Sequence, residues 1–490
     1  MLMQAVVGLG FGDEGKGSTV DWLVRRHNAG LVVRFNGGAQ AGHNVVLPNL
    51  KHHCFSQFGS GTFAGANTLL SRFMLVNPQS FLREDAHLRE LGYMPIVMVD
   101  ERAIVTTPFH IAVNQIAEIA RGKGSHGSCG MGIGETKLDE RNGFALRVSD
   151  LLSGRDQLKA KLFDIQDRML ARATKLLAES QSEHAPQSAP FMGVLCDTSV
   201  EGILDRNKAF TDRIMVGEDS KAMRLAGVGG IVFEGAQGVL LDEYHGFHPH
   251  TTWSDCTFRN AIALAGEAFP HREHGPVRKI GVLRSYLTRH GAGPLVTEDH
   301  IAHTEEPHNT YGQWQGRWRT GHFDLVMTRY ALDAVNGVDG LVLTHLDSYA
   351  AMKRQVGPWG LAGQWGGGSV CDSYEMPATE EPLPRDMFQL GTIGIPRQIL
   401  NIRAMPVPRD PKEALEQEPV RLARMAQLTL TLAECKPRFM DPDRHENLGG
   451  TGYAMALAER MNAYHKSNPP LVGVSFGPTY RDRFAIEEET

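Results

Sequence analysis

Residues 5–18 read Ala5-Val6-Val7-Gly8-Leu9-Gly10-Phe11-Gly12-Asp13-Glu14-Gly15-Lys16-Gly17-Ser18. An apolar run leads into a glycine-rich turn, and a helix is expected from Thr19 to His27. Such a strand–loop–helix unit places backbone N–H groups and a helix N-terminus where an anion can sit. Gly10-x4-Gly15-Lys16 opens as a Walker phosphate loop does. The next position should carry Ser or Thr for magnesium, yet it is Gly17, and Ser18 comes one place late, so that match fails. Asp13 and Glu14 are also unusual there. A carboxylate beside bound phosphate repels it unless a metal or a proton-transfer role compensates. The plain alternative is a turn with solvated charges.

Outward from this unit, the chain alternates β-branched runs with helical segments. Strands are expected at 5–8, 31–35, 95–99, 231–234, 279–283, 340–344 and 471–475. They are continuous apolar runs, as strands covered on both faces should be. Helices are expected at 19–27, 108–121, 157–180, 324–335, 419–432 and 452–466. Those at Pro108 and Pro419 open on a proline, which suits a first helical position. The sum is an α/β fold, a large and mostly parallel central sheet flanked by helices with a phosphate-loop-like N-terminus. Two stretches, 181–190 and 357–385, read as loop-rich surface insertions. Motifs lie on both sides of each, so residues 1–490 are expected to form one catalytic domain.

Composition narrows the class. Of 490 residues, 42% are hydrophobic, enough for a large core, and the net charge is −6. No basic region stands out, which argues against nucleic-acid binding. The 53 glycines fall in short motifs, as in an enzyme whose loops approach ligands closely. Six cysteines are scattered without a CxxC pair. With no secretory signal or membrane-length apolar run, a reduced cytoplasmic protein is expected.

A second loop follows the second strand: Asn36-Gly37-Gly38-Ala39-Gln40-Ala41-Gly42-His43-Asn44. A histidine in such a setting can donate or accept a proton near neutral pH. The pair of loops, Gly12-Asp13-Glu14-Gly15-Lys16-Gly17 and Asn36-Gly37-Gly38-x-x-Ala41-Gly42-His43, resembles the adenylosuccinate synthetase family. Further matches follow in order: Gly130-x-Gly132-Ile133-Gly134 with Leu146-Arg147-Val148, then Phe233-Glu234-Gly235-Ala236-Gln237-Gly238. After these come Thr288-Arg289-x-Gly291-Ala292-Gly293-Pro294, Arg319-Thr320-Gly321, Thr344-x-Leu346-Asp347 and Gly477-Pro478.

The resemblance implies a ligase that joins L-aspartate to C6 of a purine nucleoside monophosphate through a 6-phosphoryl intermediate, with GTP and Mg²⁺. It implies Asp13 as the base at purine N1, and His43 at the 6-oxygen and γ-phosphate. Lys16 and the loop residues Gly12, Glu14, Gly15, Gly17 and Ser18 would surround the moving phosphoryl group. Asp13 and the Gly42 carbonyl would hold the metal. Gln237 would lie by the purine, and Gln40, Ser128, Cys129 and Thr252 by the nucleotide and its phosphate. Asp347 would read guanine, and Gly477 and Pro478 would lie by a nucleotide. Arg141 would cross to a neighbouring subunit's phosphate site, which implies a homodimer. Arg317 and Arg319 suit the carboxylates of aspartate, because guanidinium pairs bidentately with them.

Several positions depart from the family pattern. Gln40 replaces Asn, Ser128-Cys129 replace two threonines, and His345 replaces the lysine before Asp347. The aspartate loop, Gln313-Trp314-Gln315-Gly316-Arg317-Trp318-Arg319, is poorer in arginine. Ser254-Asp255-Cys256-Thr257 and Phe476-Gly477-Pro478-Thr479 look similar to a phage branch that acts on dGMP, often with ATP. Asp255 then either accepts from a purine 2-amino group or caps a local turn. IMP is the first acceptor, with dGMP or GMP as the alternative, and GTP and ATP both stand as donors. A catalytically silent nucleotide-binding regulator is the reading from another class.

Overall fold

In a computed structural model of the chain, ten strands make the central sheet. They are β1 (Met3–Gly8), β2 (Leu31–Arg34), β3 (Asn67–Leu70), β4 (Val97–Asp100), β5 (Met215–Gly217), β6 (Ile231–Glu234), β7 (Arg278–Arg284), β8 (Gly340–Thr344), β9 (Leu471–Ser475) and β10 (Arg483–Ala485). Their order is β10-β9-β8-β7-β1-β6-β2-β3-β4-β5. Neighbours run parallel except β9 with β10. The structure describes residues 1–180, 185–226, 229–270, 276–299, 309, 311–348, 369–376, 383–391, 398–408, 410–440, 450–462 and 469–486.

The period of two along each strand builds two cores. Ala5, Val7, Val33 and Phe233 face a cluster completed by Leu264 of the helix Arg259–Ala268 and by Val326 and Tyr330 of the helix Leu325–Ala334. Val6, Val32 and Val232 face the opposite way, onto Val20, Leu23 and Val24 of helix α1 (Lys16–His27). Burying a side chain of this size is worth about 1.5–3 kcal/mol, so these runs fix which strands lie at the centre. A further cluster joins Val113 and Ile116 of the helix Pro108–Arg121 to Leu162 and Ile165 of the helix Arg155–Ala178.

The seven expected strands are all present, within two residues at each end. Three were not expected. β3 carries only the short segment Asn67-Thr68-Leu69-Leu70, while β5 and β10 are three-residue strands towards the two sheet edges. The helix expected from Pro419 begins at Pro411, capped by Asp410 accepting from Lys412 N and Glu413 N, and Pro419 lies inside it. The helix expected at 452–466 is Gly450–Asn462, and 463–466 lie outside the described residues.

Both expected insertions contain regular structure. Residues 185–190 belong to the helix Ala185–Asp197, whose Leu195 is buried against the Pro108–Arg121 and Arg155–Ala178 pair. Residues 181–184 lie outside the described residues. Within 357–385, Val370–Glu375 is a strand of a separate five-stranded sheet formed with Phe323–Asp324, Phe388–Leu390, Gln398–Ile402 and Lys436–Phe439. Residues 357–368 and 377–382 lie outside the described residues. Polar composition concealed this sheet, because its strands are short and only half apolar.

Candidate active site

Six neighbouring strands, β9-β8-β7-β1-β6-β2, send the motif loops out from their C-terminal ends. That is where open parallel sheets bind ligands. The loop after β1 is folded around its own carboxylate. Glu14 Oε1 accepts from the N–H groups of Gly10 (3.0 Å) and Gly12 (2.7 Å), and Oε2 accepts from Lys16 Nζ at 2.5 Å. Glu14 and Lys16 are both buried. An internal anion thus occupies two amides and the lysine that would otherwise face phosphate. Gly15 (φ 85°) turns the chain into α1. Ser18 Oγ is engaged by the Gly15 carbonyl (3.2 Å) and by Arg483 Nη2.

Gly17 has a steric reason. A Cβ there would lie 2.7 Å from His43 Cβ and 3.0 Å from Ser60 Oγ. The first turn of α1 packs against the second loop so closely that no hydroxyl side chain fits at that position. Gly238 interlocks likewise, since its Cβ would meet the Gly10 carbonyl oxygen at 2.1 Å.

Asp13 stands on left-handed backbone (φ 61°). Arg284 Nη1 donates to its carbonyl (2.9 Å), and His290 Nε2 lies 3.0 Å from Oδ2. Burial raises the Asp13 pKa, but the hydrogen bond and charge of His290, with Arg284 and Lys16, outweigh it and hold the carboxyl below its usual range. Asp13 is therefore an ionised carboxylate near neutral pH.

His43 begins the strand His43–Val46, which pairs with His52–Phe55. Its Nδ1 is 2.5 Å from Glu234 Oε1 at the end of β6. Glu234 also accepts from Ser60 N (2.9 Å) and Ser60 Oγ (2.5 Å). Burial opposes ionisation of Glu234, yet Arg34, His43 and Ser60 bring its pKa down to about 2. Burial also lowers the His43 pKa, against the pull of Glu234. Its Nε2 is buried without a partner among the described residues.

The same holds for both amide atoms of Gln40 and of Gln237. Gln237 is a second left-handed residue (φ 56°), and a Cβ on Gly37 would lie 3.0 Å from its Oε1. Asn36 ties the two loops together, accepting from Ala236 N (2.7 Å) and donating to its carbonyl (3.2 Å). Unpaired buried polar atoms are costly. Five of them lie in the loops after β2 and β6, next to the loop that carries Asp13, and are candidates to contact a polar ligand.

Other expected residues carry partners within the chain. Ser128 Oγ accepts from Asn114 Nδ2 (3.0 Å) and Gly130 N (3.3 Å). Burial pushes the neighbouring Cys129 thiol up to about 11. Asp255 Oδ1 accepts from Thr257 N (2.9 Å) and Thr257 Oγ1 (2.6 Å), and Oδ2 faces Arg259 at 3.3 Å. It caps a turn. Arg141 Nη2 pairs with Glu418 Oε2 at 2.5 Å, and its guanidinium lies 5.4 Å over the Trp253 ring, beside Thr252.

Arg319 donates to the carbonyls of Gly291 and Gly293 (2.9 Å each) and pairs with Glu298. It braces the loop after the strand Leu287–His290, while Arg317 is exposed at the loop edge. Asp347 is exposed beyond β8, and Gly477 and Pro478 follow β9, where a Cβ on Gly477 would meet Asp482 Cγ at 2.8 Å. His345 before Asp347 is left-handed (φ 59°). Burial, then Arg284 and Arg483, hold it well below the usual imidazole range.

Sequence reasoning assigned no role to Glu234, Arg284 or His290. Glu234 lies inside a quoted motif, where its place beside Gln237 was the available signal. His290 fills the unassigned position of Thr288-Arg289-x-Gly291, and nothing local in the sequence reveals that it meets Asp13.

Among the described residues no helix is long and apolar enough to cross a membrane. The family model for adenylosuccinate synthetase matches residues 5–356. An adenylosuccinate synthetase of Vibrio cholerae is 32% identical over 400 residues, covering 78% of this chain and 84% of that protein. One from Halobacterium salinarum is 32% identical over 361 residues, covering 71% and 78%. Among solved structures, the fully ligated adenylosuccinate synthetase of Plasmodium falciparum superposes with a TM-score of 0.67 at 19% identity, covering 99% of this chain and all of that one, which shows the shared fold. With the two motif loops converging at the C-terminal ends of β1 and β2, and relatives matched over most of their length, the chain belongs to the adenylosuccinate synthetase family of C–N ligases.

Proposed function

We propose that this chain joins L-aspartate to C6 of inosine monophosphate, with GTP as phosphoryl donor. What supports the reading is the ionised, left-handed Asp13 in the loop after β1, with the unpartnered Nε2 of His43 and amides of Gln40 and Gln237 in the loops after the neighbouring strands β2 and β6. In the first step Asp13 takes the proton from purine N1. The negative charge moves to O6, which attacks the γ-phosphorus, and the nucleoside diphosphate leaves. In the second step the aspartate amine attacks C6, the C6–O bond breaks, and inorganic phosphate departs carrying the proton that the amine gives up.

The residues present suit each demand. Phosphoryl transfer is chiefly positioning and charge stabilisation. Lys16 supplies a cation at the loop, exchanging Glu14 for phosphate as the triphosphate enters. His43 anchors Nδ1 on Glu234, so that Nε2 is left for the 6-oxygen and the transferring group. An incoming anion favours the imidazolium, opposing the effect of burial on His43. Asp13 with the Gly42 carbonyl is an all-oxygen pair that fits Mg²⁺, which takes one or two protein ligands and completes its shell with phosphate and water. Bound there, the ion would neutralise charge on the phosphates.

For the donor, Asp347 has no hydrogen-bond partner among the described residues, and its two oxygens suit guanine N1–H and the 2-amino group. For the acceptor, the turn-capping contacts of Asp255 leave it poorly disposed to read a purine 2-amino group, which favours IMP over dGMP.

The test is an incubation with IMP, L-aspartate, GTP and Mg²⁺, followed by absorbance of the 6-amino-substituted purine, with dGMP and ATP in parallel. Product from IMP supports the reading, and its absence sinks it. Asp13→Asn keeps the shape and removes the proton acceptor. The expected loss is about 10²–10⁴-fold in kcat; unchanged turnover would remove Asp13 as the base.

A further inference from the structure

We propose that His290 is the positioning residue of the Asp13 base: its Nε2–H holds Oδ2, so that Oδ1 is the oxygen presented to purine N1. The inference rests on the ligase reading above. Nε2 lies 3.0 Å from Oδ2, and among the described residues this is the one side chain that hydrogen-bonds the Asp13 carboxylate. The remaining tie, Arg284 Nη1 to the carbonyl of residue 13, fixes the backbone and not χ1 or χ2. A carboxylate on a loop between glycines rotates freely about those bonds without a further contact.

The holder is itself rigid. His290 ends the strand Leu287–His290, paired in register with Trp318, while Arg289 pairs with Arg319. The loop that follows is braced by buried Arg289, which donates to Ala292 O, Pro294 O and His250 O, and by Arg319 on Gly291 O and Gly293 O. Gly293 has no room for a side chain, since a Cβ would lie 2.2 Å from Arg289 Nη2. The strand therefore presents the imidazole to Asp13 from a fixed point, as a supporting contact must if it is to hold a reacting group. The other ring nitrogen, Nδ1, is buried without a partner among the described residues.

The test uses the full chain with His290→Ala, His290→Gln and His290→Asn. The amide nitrogen of Gln overlays imidazole Nε2, whereas that of Asn overlays Nδ1. Misplacing a reacting group by about 1 Å costs on the order of 10²-fold in rate. His290→Ala and His290→Asn are therefore expected to lose about that factor in kcat, with KM for IMP, GTP and aspartate changed by less than about threefold. His290→Gln should recover most of the rate, and free imidazole should partly restore His290→Ala. Thermal unfolding of each variant separates a folding defect from a positioning defect.

Equal rates in wild type and His290→Ala overturn the inference while leaving the ligase reading intact. So does equal loss in the Gln and Asn variants without imidazole rescue, which marks a structural role. A wild type that makes no product from any purine monophosphate overturns both.

Discussion

Substituting Gly17 by Ser or Ala tests whether the first loop is a phosphate loop that lost its hydroxyl or a different construction. On the first view Gly17→Ser restores a magnesium ligand and should be harmless or helpful. The structure predicts the reverse. A Cβ at position 17 falls 2.7 Å from His43 Cβ, 3.0 Å from Ser60 Oγ and 3.3 Å from the His43 carbonyl carbon. Ordinary carbon–carbon contact is about 3.5–4.0 Å, so one partner must retreat by roughly 1 Å. Neither is free to do so, because Glu234 holds both, His43 through Nδ1 and Ser60 through its N–H and hydroxyl. Overpacking of this kind costs about 1–3 kcal/mol of stability. A displacement of that size at a reacting group costs about 10²-fold in rate. The assay is initial-rate formation of product from IMP, GTP and aspartate, with thermal unfolding in parallel. Gly17→Ala, which adds the Cβ alone, should already show most of the loss, and Gly17→Ser should show no gain in affinity for Mg²⁺. A Gly17→Ser enzyme as active as wild type would refute the packing argument.

Two further predictions concern buried carboxylates. Arg34, His43 and Ser60 bring the Glu234 carboxyl, against burial, from the ordinary 4.5 down to about 2, so its stabilisation is complete above the higher value and is lost as pH falls towards the lower. The difference corresponds to roughly 3 kcal/mol as an upper bound. Glu234→Gln should therefore be less stable than wild type in urea at pH 7, with the gap narrowing below pH 4, and a gap that does not change with pH would contradict the sign. Asp324, the cap of the helix Leu325–Ala334, is the opposite case: burial raises it to about 6 although Tyr374 and the amides of Met327 and Val326 lower it. Its ionisation costs stability that grows from pH 3.8 to about 6 and then stays constant. Asp324→Asn, which keeps an acceptor for the cap, should melt higher than wild type at pH 8 and no higher at pH 4.

The parts of the fold that were legible in the sequence are those where one physical rule dominates. β1, β6 and β8 are buried on both faces, so their apolar runs announce themselves. α1 follows from the glycine turn before it. β3 was hidden because Asn67 and Thr68 open it, and Thr68 Oγ1 is an acceptor for Gly59 N (2.9 Å) rather than a core group. The five-stranded sheet around Val370–Glu375 was hidden because it sits in a polar, proline-rich context. The same division holds in the site. Asp13, His43 and Gln237 sit in glycine-bounded motifs with unusual chemistry. Glu234, Arg284 and His290 act through contacts that span 191, 271 and 277 positions along the chain, and no local pattern carries that information.

Backbone strain ties the two levels together. Six described non-glycine residues adopt positive φ: Asp13, Asn28, Leu50, Gln237, Asn336 and His345. Asn28 closes α1 and Asn336 follows the helix Leu325–Ala334, where a left-handed asparagine is ordinary. Leu50 lies in the turn between two short strands. The other three each stand just past the C-terminal end of a central strand, β1, β6 and β8, within one stretch of the sheet. Glycine would relieve a cost of about 1–3 kcal/mol at each, so the side chains are kept against a local preference. At Asp13 that side chain is the proposed base, at Gln237 an amide without a partner among the described residues, and at His345 a half-buried ring two positions before the proposed donor reader, Asp347. The glycine-rich character of the loops and their strained non-glycine exceptions thus have one cause: backbone and ligand approach closely there, and glycine is replaced where a functional group must enter the gap.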